Sequence, residues 1–200
     1  MAEALHPLTV ADLDKYKAKP IAAGYPPNMR TFYSPYDDVH GALKAVIGSA
    51  QHSIIVAMFG YDDDELAALL DTALKNPTMF VQISLDKSQA GGVHEKAILA
   101  KYAAEMHGNS VAIGSSEKGA IAHRKMVIVD GIWRVSGSTN WSVSGETLQD
   151  NEATIMLDPF ACAEARTLLD ISHDHMLAAM AARAAKDLRA APAHAASDAH

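Results

Sequence analysis

From Thr31 onward, short runs of apolar and β-branched residues alternate with longer stretches in which apolar residues recur every three or four positions. Strands are expected at 30–33, 53–59, 79–85, 110–114, 124–129, 133–136 and 153–157. Between them, helical spacing covers 37–50, 62–75 and 93–107, and a final long helix runs from 159 to 184. The order predicts an α/β layered domain with a mixed β-sheet flanked by helices on both faces. The 53–59 run, SIIVAMF, is apolar throughout and reads as a buried strand. Asp130-Gly131, between two strand patterns, signals a tight hairpin.

The flanks break this pattern. Residues 1–28 carry several charges with Pro7, Pro20, Pro26 and Pro27, and read as an N-terminal arm with at most one short helix, packed on the body or on a partner. Residues 29–184 read as one domain without internal repeats, and 185–200, with Pro192 among alanines, read as a flexible C-terminal tail.

Composition narrows the possibilities. At 200 residues and 49% hydrophobic side chains, the chain can bury one substantial core. The first 27 residues hold no signal-like apolar run, and no stretch approaches the roughly 20 apolar residues of a membrane span. A cytoplasmic protein without stable membrane insertion is the expectation. Cys162 is the sole cysteine, which excludes an internal disulfide and a thiolate zinc cluster and suggests a helix-packing role. The formal net charge of −7 argues against a broad basic surface, so any nucleic-acid contact has to be local.

Candidate chemistry concentrates in residues 123–140, HRKMVIVDGIWRVSGSTN, which follow His-x-Lys-x4-Asp-x6-Gly-Ser-x-Asn without a gap. Six fixed positions make a chance match on the order of one in 10^5 or rarer. Strand side chains alternate faces, so His123 and Lys125 share one face, while Asp130 takes the parity of Met126 and Ile128. That predicts a supporting Asp130 and not a catalytic base. In an extended segment Ser138 and Asn140 also share parity, presenting a hydroxyl and an amide together for phosphate oxygens.

The pattern resembles the HKD signature of the phospholipase D superfamily, and the likeness in element order spans about 30–180. Tyr33-Ser34-Pro35 before a helix, and a buried strand ending at Phe59, are similar to the start of its short, single-motif bacterial nuclease-like members. The resemblance implies a phospholipase D-like fold and a metal-independent phosphodiesterase, most simply an endonuclease on DNA or RNA. In that chemistry His123 attacks phosphorus to form a phosphohistidine, while Lys125, Asn140 and Ser138 hold the nonbridging oxygens. Glu152 takes the place of an acidic residue that orients a histidine, and Asp130 and Gly137 are structural. A second, protonated histidine must supply the leaving-group proton. One motif per chain therefore implies a homodimer with the two copies of His123 facing each other. Neither cofactor nor metal enters this scheme. A phospholipid headgroup ester is the alternative substrate, and a catalytically silent dimeric binding module the alternative of another class.

Other residues carry weaker signals. Lys118 sits in a polar loop running into the motif and is a candidate phosphate contact. Trp141 either walls the cleft or fills the core. His94-Glu95-Lys96 repeats His-x-Lys, but on a helical pattern that keeps the two side chains apart. His173 lies on the apolar stripe of Leu169, Met176, Leu177 and Met180, which points to packing and not to a metal pair with His175. Asp62-Asp63-Asp64 reads as an acidic first turn answering the helix dipole.

Overall fold

The computed structural model describes residues 7–89 and 110–190. A 3-10 turn at Ala11–Tyr16 leads into β1 (Met29–Ser34), α1 (Val39–Gly48), β2 (Ser53–Met58), β3 (Tyr61–Asp62), α2 (Asp64–Lys75), β4 (Phe80–Asp86) and β5 (Ser110–Gly114). The hairpin β6 (Lys125–Val129) and β7 (Trp133–Gly137) follows, then β8 (Trp141–Ser142), α3 (Val143–Thr147), β9 (Asn151–Leu157) and α4 (Pro159–Ala190). The helical pattern expected at 93–107, including His94-Glu95-Lys96, lies outside the described residues.

Seven strands form one mixed sheet in the order β1-β9-β7-β6-β2-β4-β5, and β3 pairs with β8 in a separate two-stranded ribbon. Central β2 runs antiparallel to β6 and parallel to β4, and both of its faces are covered. Ile54, Val56 and Met58 join the larger core with α1 and α2, whereas Ile55 and Ala57 join Ile128, Cys162, Ala165 and Leu169 beneath α4. That two-sided burial explains the unbroken apolar run at 53–59.

Local chemistry sets the helix starts. Asp38, Asp63, Ser142 and Asp158 each accept a backbone N–H from the turn that follows, satisfying donors that a helix cannot pair internally. In α1, Val39, Ala42, Leu43, Val46 and Ile47 repeat at three- and four-residue spacing and are all buried. Helix α4 runs to Ala190, six residues beyond the expected end at 184, because its last turns hold Ala, Lys, Asp, Leu and Arg and neither Gly nor Pro.

The described residues of the N-terminal segment pack on the body. Leu13 is fully buried in the larger core, Arg30 Nε donates to Asp14 Oδ1 at 2.5 Å, and Lys17 Nζ lies 2.5 Å from Asp37 Oδ2. No helix among the described residues is long and apolar enough to cross a membrane.

Candidate active site

The motif maps onto the β6–β7 hairpin and its two exits. His123 precedes β6 and is exposed, while Lys125 opens the strand opposite Met58 and is buried. The Lys125 ammonium donates to His123 Nε2 at 2.7 Å and to the His123 carbonyl at 3.1 Å. Nε2 therefore carries its lone pair. Phe59 braces both groups: its ring meets His123 edge-on at 4.6 Å, and Lys125 Nζ lies 4.8 Å from its centroid. Burial lowers the Lys125 pKa below the ordinary lysine value.

Asn140 joins this group through the residue after Phe59. Its Oδ1 accepts the Gly60 N–H at 3.2 Å, and Trp141 N donates to the Gly60 carbonyl at 3.0 Å. With the carbonyl end tied to backbone, the Nδ2 end is the one available to an oxyanion.

Asp130 stands at the opposite end of β6 from Lys125. Its carboxylate accepts the N–H groups of Gln51, His52 and Ser53 at 2.9, 2.7 and 2.8 Å, clamping the entrance to β2 onto the hairpin turn. Asp130 itself has φ 52°, a left-handed conformation that Asp tolerates better than most residues. Gly137 serves close approach: a Cβ there would lie 2.2 Å from the Glu152 carbonyl on β9.

Beyond Gly137 the chain leaves the strand, so parity no longer governs Ser138 and Asn140. Ser138 Oγ accepts from Glu152 N at 3.0 Å and donates to Asn151 Oδ1 at 2.9 Å, while Asn140 turns toward Gly60. Ser138 and Glu152 line a cleft of about 660 Å³ shared with Lys17, Lys19, Tyr33 and Tyr36. The Glu152 side chain is exposed. Glu152 lies on β9 opposite Tyr33 of the edge strand β1.

Trp141 corrects the other open reading. It is 1% exposed and packs against Tyr61 at 5.4 Å, so it fills the core and does not wall the cleft. Lys118 is exposed on a turn closed by Gly119 N to the Ser116 carbonyl, with no side-chain partner among the described residues. His173 is buried, with Ser84 Oγ 2.9 Å from Nδ1 and Ser110 Oγ 2.6 Å from Nε2.

Asp86 escaped the sequence reading. Buried at the C-terminal end of β4, its carboxylate accepts Ala122 N at 2.5 Å, one residue before His123, and binds both the N–H and the hydroxyl of Ser88. Burial pushes its pKa up, but the Ser88 and Ala122 hydrogen bonds and the nearby Lys87 charge outweigh this and hold it below the usual carboxylate value. The available signal was an acid ending a buried strand, FVQISLD, where open α/β sheets place their sites.

Comparison with known proteins agrees with this geometry. Residues 43–170 match the family model described as "Cardiolipin synthase, PLD-like domain", which covers more than half of the chain. No curated protein sequence gives a match. Among solved structures, Nuc from Salmonella typhimurium, a phospholipase D family member, superposes with a TM-score of 0.65 at 21% identity, covering 74% of this chain and 94% of Nuc. NucT from Helicobacter pylori gives 0.64 at 19% identity, covering 74% of this chain and 96% of NucT. Phosphatidylserine synthase from Haemophilus influenzae gives 0.61 at 13% identity over 82% of this chain but only 43% of that protein. The sheet order, the hairpin-borne motif and the family match together place this chain in the PLD-like domain family of the phospholipase D superfamily, a superfamily of phosphodiesterases.

Proposed function

We propose that the protein is a phosphodiesterase that works through a phosphohistidine on His123, with one active site shared by two chains of a homodimer and nucleic acid as substrate. The carrying observation is the contact between the Lys125 ammonium and His123 Nε2 at 2.7 Å, both braced by Phe59 beside the anchored Asn140.

In the first step the Nε2 lone pair of His123 attacks phosphorus, and the P–O bond to the leaving group breaks in line. Lys125 and Asn140 Nδ2 hold the nonbridging oxygens as charge builds on them. The leaving oxygen takes a proton from the imidazolium of the partner's His123. That imidazole, now neutral, removes a proton from water, which attacks the phosphohistidine and returns His123 with a phosphomonoester product.

Two observations support sharing between subunits. His123 is the only histidine at the Lys125–Phe59 cluster among the described residues, which supports an acid supplied by a second chain. The chain also spans 94% and 96% of two short relatives but 43% of a longer one, as a single-motif protein would. For the substrate, exposed Tyr33 and Tyr36 share with Lys19 the lining of the cleft beside Ser138, a combination suited to stacking bases and holding one phosphate locally. It requires no basic surface elsewhere, in keeping with the net charge of −7.

The test is turnover of single-stranded DNA, RNA, a generic aryl phosphodiester and phosphatidylcholine vesicles, quenched in alkaline denaturant, where a phosphohistidine persists. Peptide mass spectrometry should find a phosphonucleotidyl or arylphosphoryl adduct on His123, and sedimentation should show an active dimer. A fully active monomer, or turnover by His123→Ala, would refute the proposal; vesicle hydrolysis without nucleic-acid cleavage would replace the substrate.

A further inference from the structure

A second cluster lies away from the motif, where three helices meet. His40 lies in the first turn of α1, Asp63 caps α2, and Glu146 belongs to α3. Each contributes one potential ligand atom, and these atoms lie within 4.8 Å of one another. His40 Nδ1 is 2.6 Å from Glu146 Oε2 and 3.4 Å from Asp63 Oδ2.

Burial makes this arrangement costly without a cation. Glu146 is 1% exposed and Asp63 5%, and among the described residues the only basic group in direct contact with both is one imidazole. A separate observation points the same way: Glu146 Oε1 is buried with no hydrogen-bond donor among the described residues. A buried carboxylate oxygen left without donor or cation costs its full desolvation penalty. We propose that His40, Asp63 and Glu146 form a binding site for a divalent first-row transition ion, with zinc the best fit.

The donor chemistry selects the class. One imidazole nitrogen with two carboxylate oxygens suits zinc, with water as the fourth ligand of a tetrahedron. At the usual zinc–ligand lengths, tetrahedral partners lie about 3.3 Å apart, which the separation of 3.4 Å between His40 and Asp63 matches. The shorter hydrogen bond from His40 to Glu146 is the contact the ion replaces, so uptake releases the Nδ1 proton.

Supporting contacts orient the donors. Asp63 Oδ1 is occupied by Leu66 N at 2.7 Å, which turns Oδ2 toward His40. On the other side of the ring, Glu65 Oε2 lies 3.7 Å from His40 Nε2 and also pairs with Lys44. A carboxylate behind a ligating histidine is the usual outer partner of such sites.

The ion's role follows from its neighbours. Asp63 follows β3 and Glu146 follows β8, and these two strands pair through Tyr61–Trp141 and Asp62–Ser142. Their other ends lead to Gly60 and Asn140. Binding pins α1, α2 and α3 around the ribbon that holds Asn140 against Gly60, and takes no part in the attack on phosphorus.

The experiment uses the full chain stripped with chelator and titrated with zinc, manganese or magnesium chloride by calorimetry in two buffers of different ionisation enthalpy. Expected are one zinc per chain with proton release, and a thermal midpoint raised by roughly 5–10 °C at hundredfold excess over Kd. X-ray absorption should show oxygen and nitrogen neighbours near about 2.0 Å with one imidazole. Glu146→Gln and His40→Ala should each weaken uptake at least thirtyfold, whereas replacing His194 and His200 by Ala should leave it unchanged. No stoichiometric uptake, leaving only a proton-sharing cluster, overturns the proposal. So does uptake insensitive to His40 and Glu146.

Discussion

Replacing Asp130 separates support from catalysis within the motif. Asp130→Ala removes the acceptor of three backbone donors, those of Gln51, His52 and Ser53. At about 1 kcal/mol net per bond the loss approaches about 3 kcal/mol. Placing Ala at φ 52° adds about 1 kcal/mol. Water reaching the exposed Gln51 and His52 amides returns part of this, so about 2–3 kcal/mol is expected. Asp130→Asn keeps the tolerance for left-handed backbone and one acceptor oxygen, enough for the two bonds now made by Oδ1, and should cost about 1 kcal/mol. For a chain of this size the thermal midpoint falls by about 2–4 °C per kcal/mol. Urea and thermal unfolding followed by circular dichroism measure the stability. Turnover of an aryl phosphodiester well below the midpoint measures the chemistry, and kcat per folded molecule should stay within about tenfold of wild type, because the carboxylate lies at the end of β6 remote from Lys125. An Asp130→Asn protein with unchanged stability and a hundredfold lower kcat would refute the assignment.

Asp86→Asn places an amide against the Ala122 N–H and should lower kcat more than it raises KM by loosening the backbone before His123; an effect on KM alone would count against a positioning role. Because the folded Asp86 carboxyl titrates below its usual value, its stabilisation is present above the unfolded pKa of about 3.9 and is lost as pH falls through the folded value, so this variant should show a shallower acid limb in unfolding midpoints. His173 is also held low, by burial first, with Asp174 and Asp170 opposing and Arg166 reinforcing. Native protein therefore resists its protonation, and stability should fall as pH drops below about 6.5; His173→Gln should flatten that limb, and an unchanged slope would contradict the reading. Gly137→Ala should destabilise by about 2 kcal/mol or more, since its Cβ meets backbone at 2.2 Å, and chemical denaturation will read it directly.

How much of this was visible in the chain depends on the range of the interaction. Alternation and helical spacing identify β2, β4, β5, β6, β7, α1 and α2 closely because a buried stripe repeats over several turns or residues. Ribbon strands β3 and β8, two residues each, and the five-residue α3 are too short to carry any period. Asp130 could be set apart from His123 and Lys125 by parity alone, since the strand between them is regular. Ser138 and Asn140 could not be treated so, because the chain leaves the strand after Gly137 and each side chain finds a different partner. Trp141 was ambiguous for the same reason: its burial depends on Tyr61 of the facing ribbon strand.

By itself the sequence determined the layered α/β architecture, the family and the motif, because hydrophobic period and fixed spacing are properties of neighbouring residues. Tertiary structure decided the sheet order, the exposed place of Glu152, the hold of Asp86 on the backbone before His123, and the meeting of His40, Asp63 and Glu146. Those groups lie far apart along the chain, and only the packing of sheet and helices brings their charges within reach of each other.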